Sequence, residues 1–210
     1  MDIVNQINAI TREVHADGDG DQATRSVILR RRYDAQPADV WDACTNPERI
    51  GRWFLPVSGD FKLGGTYQLQ GNAGGEILRC EPPKLLRLSW VFGDLPASRV
   101  ELRLAPADDG SGTDFTLEHV VPGDDMWDQF GPGAVGAGWD GALLGLGLHL
   151  AGGSIDDPDA WQKSPEAKEF FTLSGKAWAA AYRSSGASAE TVAAAEARTI
   201  AFYTGQPPTV

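Results

Sequence analysis

His119 is the residue best placed to move a proton. It alternates with Phe115 and Leu117 in a run that reads as a strand, so its side chain falls on the apolar face. An imidazole there is either a general base or a hydrogen-bonded structural histidine, the second being the commoner fate. Glu118 points to the other face, where a strand carboxylate is solvated. Asp140 follows Trp139 in a helical stretch, and that single step turns it about 100° off the Trp139 stripe, which predicts a helix-surface charge. No catalytic role is assigned to any of these residues. His15, His119 and His149 are scattered, and Cys44 and Cys80 lack partners at ligand spacing, so no metal and no other cofactor is expected. Asp17, Asp19 and Asp21 imitate the start of a calcium loop, but Gln22 and Ile28 stand where the turn glycine and the bidentate glutamate belong. Serine elbows, phosphate loops and dinucleotide fingerprints are also missing. What remains is aromatic: Trp53, Tyr67, Trp90, Phe92 and Trp139 are core residues, walls of an apolar cavity, or both where core and pocket share walls.

The elements that must position these groups begin at Ser26 to Tyr33, a strand candidate. Pro37 then opens a helix carrying Val40, Trp41 and Cys44, and Asn46-Pro47-Glu48 repeats the start signal for a second helix ending near Trp53 and Phe54. From Phe61 onward, glycine and proline turns recur between short alternating runs such as Leu86, Leu88, Trp90, Phe92 and Val100, Leu102, Leu104. These predict a meander of six or seven antiparallel strands. Asp124, Asp125, Met126, Trp127 and Phe130 read as a mobile acidic-aromatic loop or as capping structure. Val135, Trp139, Leu143, Leu146 and Leu150 then mark one face of a long helix that should lie across the sheet, despite five interior glycines of low helix propensity.

Outside that core, Ile3, Ile7, Ile10 and Val14 predict an amphipathic N-terminal helix, followed by a solvated linker from His15 to Gln22. Ser164-Pro165 and Ser188 start two further helices, stopped by Gly186 and by Gly205 with Pro207 and Pro208. The resulting divisions are 1–22 for helix and linker, 23–153 for the main domain, and 154–210 for a helical hairpin that packs in cis, covers a pocket or forms a homodimer contact. The chain has 210 residues, 42% of them hydrophobic with seven tryptophans, enough for one folded domain with appendages. A net charge of −11 excludes nucleic acid and anionic membrane surfaces as partners. Asp140 and the short apolar run argue against membrane insertion of the long helix. Two separated cysteines and no basic, apolar leader make the cytoplasm the expected compartment.

Taken together, Arg32-Tyr33-Asp34-Ala35 with Pro37, Val40-Trp41, Thr45, Arg52-Trp53-Phe54, Leu63-Gly64-Gly65 before Tyr67, Glu81-Pro82-Pro83 through Ser89-Trp90, Thr113 through His119, and Gly138-Trp139 resemble the SRPBCC superfamily. Within it, the likeness is to the branch of homologues of the activator of the heat-shock protein 90 ATPase, over about Arg25 to Leu150. The resemblance implies an α+β, START-like helix-grip fold, a curved antiparallel sheet around a long C-terminal helix, with a cavity for lipids, polyketides or other apolar molecules. The expected ligand-binding set is Trp53, Tyr67, Trp90, Phe92, His119, Trp127, Trp139, Leu143 and Leu146. Because the superfamily includes carriers, cyclases, dehydratases and chaperone regulators, the expectation is a small apolar ligand. A polyketide cyclase or dehydratase and a chaperone-accessory module are the alternatives.

Overall fold

A computed structural model describes residues 2–18 and 23–206. Asp19, Asp21 and Gln22 of the calcium-like spacing and the terminal prolines therefore lie outside the described residues, while His15 to Asp17, expected in a solvated linker, end a strand. Helix α1 (Ile3–Asn8) is capped by Asp2, whose carboxylate accepts from the Asn5 amide at 3.1 Å, and buries Ile3 and Ile7. The amphipathic helix expected to run to Val14 stops there. Ile10–Asp17 is instead strand β1, with Ile10 and Val14 buried. A spacing of four residues suits one face of a helix and also one face of a strand, and the β-branched Ile10, Thr11 and Val14 favour the strand.

Strand β2 (Thr24–Tyr33) leads to α2 (Pro37–Thr45) and α3 (Pro47–Trp53), both started by proline, α3 with Asn46 capping through the Glu48 amide at 3.1 Å. Six strands follow: β3 (Val57–Gly59), β4 (Thr66–Leu69), β5 (Gly74–Glu81), β6 (Leu85–Trp90), β7 (Ser98–Pro106) and β8 (Thr113–Pro122). The sheet is antiparallel, in the order β1-β2-β8-β7-β6-β5-β4-β3. It has eight strands, β1 adding to the six or seven expected from the sequence. Helices α4 (Asp125–Phe130), α5 (Gly133–Leu150), α6 (Pro158–Gln162), α7 (Pro165–Ser184) and α8 (Ala189–Thr204) complete the chain. Of the two readings of Asp124 to Phe130, a loop or capping structure, the structure has the second: a short helix whose Asp124 carboxylate accepts from the Trp127 amide at 3.0 Å.

Two compact units emerge, and both β2 and α5 contribute to each of them. One comprises Met1–Leu29, Gly123–Leu144 and Ile155–Val210; the other comprises Arg30–Pro122 and Gly145–Ser154. In the first, α7 packs against α1, β1 and α8, and its buried stripe is Phe170, Phe171, Ser174 and Trp178. The glycines of α5 serve close approach: a Cβ at Gly136 would overlap the Trp178 indole. In the second, register stacks Leu88, Val100 and His119 in one cross-strand row and Leu86, Leu102 and Leu117 in the next. The opposite face carries the row Arg87, Glu101, Glu118, in which Glu101 is buried and ion-paired to both Arg87 and Arg103.

Candidate functional site

The apolar face of the sheet in the second unit brings together three of the residues expected to line a cavity. Tyr67, on β4, gives its hydroxyl proton to the Ser89 carbonyl at 2.9 Å. Its ring lies 6.4 Å from that of Trp90, and the Trp90 ring meets the His119 imidazole edge-on at 6.0 Å. Strand alternation puts all three on one face, and the hairpin register sets Trp90 opposite Ser98. Ser98 then reaches diagonally to His119, with Oγ and Nε2 2.9 Å apart. Because the single Ser98 hydroxyl proton goes to the Trp90 carbonyl, also at 2.9 Å, the serine oxygen is the acceptor and His119 Nε2 carries a proton. This fixes the tautomer. Ser98 was not singled out from the sequence; its position opposite Trp90 across a short hairpin was the available signal.

Burial pushes the His119 pKa down to about 4 from its ordinary 6.5. The imidazole is therefore neutral at pH 7, and the wall it shares with Trp90 and Tyr67 is uncharged. On acidification the unfolded chain binds a proton first, near pH 6.5, so folding stability falls between pH 6.5 and about 4. The expected loss attributable to this residue is about 3 kcal/mol. Urea denaturation across that range should give a flatter stability profile for His119→Gln than for the wild type; parallel profiles would contradict the assignment.

The other expected site residues are distributed. Trp53 ends α3, donates its indole N–H to the Ala43 carbonyl at 2.9 Å and stacks on Phe54 at 5.5 Å, so its polar edge is committed to holding α2 and α3 together. Leu146 is fully buried on α5. Phe92, expected on the apolar face, lies beyond the end of β6 and is 48% exposed, because the strand ends at Trp90 and the chain turns. Trp139 and Leu143 belong to the first unit, the former half-buried and the latter buried. Trp127 also lies there, buried on α4 and edge-on to Tyr182 of α7 at 6.0 Å, which makes it a packing residue of the helical unit.

Asp140 is not a surface charge. It is completely buried in the first unit, where both carboxylate oxygens accept from Arg12 Nε at 3.1–3.2 Å. Ser174 Oγ donates to it at 2.5 Å and Trp178 Nε1 at 3.1 Å. Burial pushes the carboxyl pKa up, against the opposing pull of Arg12, Ser174 and Trp178. The cluster ties β1, α5 and α7 together, and Arg12 Nη1 also donates to the carbonyls of Ile7 and Ile10 at 3.2 and 2.8 Å. Among the described residues no three His, Cys, Asp or Glu side chains gather to hold a metal ion, and no helix is long and apolar enough to cross a membrane.

The family model for Activator of Hsp90 ATPase homolog 1-like protein matches residues 34–150. No curated protein matches the chain. CalU16 from Micromonospora echinospora is 41% identical; its crystal structure superposes with a TM-score of 0.68, covering 83% of this chain and 99% of that one. The solution structure of CalU16 gives a TM-score of 0.71 over 85% and 97% of the two chains. MLL2253 from Mesorhizobium loti, 25% identical with a TM-score of 0.52, is matched over its whole length by 62% of this chain. The family match over more than half of the chain and the identity to CalU16 establish that this protein belongs to the family of activator of Hsp90 ATPase homolog 1-like proteins, within the SRPBCC superfamily.

Proposed function

We propose that the protein binds a small apolar or aromatic molecule against the wall formed by Tyr67, Trp90 and His119. The observation that carries this reading is the combination of neighbouring aromatic rings, tilted and edge-on to one another, with a buried, neutral histidine held in one tautomer by Ser98. Such a wall offers large apolar area and few, fixed polar groups, the composition that suits an apolar ligand. Trp53 and Leu146 are the further contributors assigned from this unit. Binding is favoured over cyclase or dehydratase chemistry because a histidine with a pKa of about 4 is a weak proton acceptor at pH 7, and its Nε2 proton is already engaged by Ser98.

A fluorescence titration with Nile red, a neutral aromatic probe, tests the reading. Trp90→Ala should weaken binding by about tenfold or more, since an aromatic contact of this kind is worth on the order of 1–3 kcal/mol. His119→Gln, which keeps a polar group of similar size, should weaken it by much less. Equal affinity in the wild type and Trp90→Ala would overturn the assignment.

A further inference from the structure

An open depression of about 700 Å³ lies over β3, β4, the start of β5 and the segment 91–93. Its floor is a cross-strand row: Ser58 is paired with Gln68, Gln68 with Gly74, and Gly74 with Val91. The Gln68 amide is fixed in place. Its Nε2 donates to the carbonyls of Leu69 and Asn72, both at 2.8 Å, which uses both of its protons and leaves Oε1 as an acceptor. That oxygen lies across Gly74, where a Cβ would overlap it. Ser58 and Thr66 are exposed beside it, and their hydroxyls make no hydrogen bond among the described residues. The lining thus presents an oriented acceptor and two uncommitted hydroxyls.

No lining residue carries a charge, while Asp60, Glu76 and Asp94 each directly follow one that does line it. An anion would meet these carboxylates and a net charge of −11; a cation would find no carboxylate in the lining. Val91 adds an apolar patch, and Phe92, between the lining residues Val91 and Gly93, is 48% exposed. The volume falls within the range of small-molecule sites, and the surface is uncharged, with an apolar side and a hydroxyl-rich side. We propose that this depression is a binding site for a neutral, polyhydroxylated ring of the pyranose type; Tyr67, which also belongs to the aromatic wall, is among its lining residues.

Amide chemical-shift titration of the whole ¹⁵N-labelled protein with methyl β-D-glucopyranoside tests this. Saturable shifts should centre on Gly74, Gly75 and Gly93. The double variant Ser58→Ala/Thr66→Val should bind about tenfold more weakly, the loss expected for two hydrogen bonds to neutral hydroxyls, with the remaining spectrum unchanged because both positions are exposed. Glucuronate, of the same ring size but anionic, should bind more weakly still. Shifts that do not saturate, equal affinity in the double variant, or glucuronate binding as well as the neutral glycoside would each overturn the proposal.

Discussion

Asp140→Ala should destabilise the protein by about 3–5 kcal/mol, because it leaves the buried Arg12 guanidinium without its counter-charge. The Arg12 side chain is only 5% exposed and cannot simply swing into water. The same substitution deprives Ser174 and Trp178 of their acceptor. Against a typical stability of about 5–15 kcal/mol, such a loss brings the fold close to its limit. The pair replacement Arg12→Met/Asp140→Leu separates an uncompensated charge from the loss of packing. Removing both charges into apolar side chains of similar volume should recover much of the loss, since a buried ion pair repays little more than its own desolvation. Urea denaturation of the two variants measures this directly. A single variant within about 1 kcal/mol of the wild type, typical of a surface substitution, would contradict the buried network.

Trp178→Ala should cost a comparable amount, about 3–5 kcal/mol, by opening a cavity in the helical unit and removing a donor to Asp140. Its partner Gly136 makes the prediction sharper. In the wild type, Gly136→Ala drives a methyl group into the indole and should destabilise by about 1–3 kcal/mol. In the Trp178→Ala background the same methyl enters the vacated space and adds helix propensity, so its effect should change sign. Thermal denaturation of the four proteins in this cycle supplies the comparison. Additive losses would show that Gly136 and Trp178 do not oppose each other.

Sequence chemistry was most legible where a local signal fixes local structure. Asn46-Pro47, Ser164-Pro165 and Ser188 each mark a helix start that the structure reproduces, with the side-chain cap in place. Asp157-Pro158 carries the same signal and starts α6, a short helix not anticipated from the sequence. Reading failed where tertiary contact decided. Period analysis assigns a helix one narrow buried stripe, but Ala137, Asp140, Leu143, Leu144 and Leu146 are all buried, and at about 100° per residue they cover about half of the circumference of α5. An acid off the main stripe was therefore read as exposed, and its partner, Arg12, lies 128 residues away in a segment expected to be helical. At the candidate site, alternation with Phe115 and Leu117 put His119 on the apolar face, but it did not supply Trp90 as its neighbour. It could not supply Ser98, whose role depends on a diagonal across the β7–β8 pair. Phe92 continued the apolar alternation in sequence, yet β6 had already ended.

Native mass spectrometry of freshly purified protein, followed by solvent extraction, tests the central claim most directly. The account predicts a stoichiometric adduct, released on denaturation and identifiable as a neutral apolar or aromatic molecule, whose occupancy falls in Trp90→Ala. A clean apo mass, together with no thermal shift from a panel of lipids and aromatic polyketides, would contradict small-molecule binding at the Tyr67, Trp90 and His119 wall.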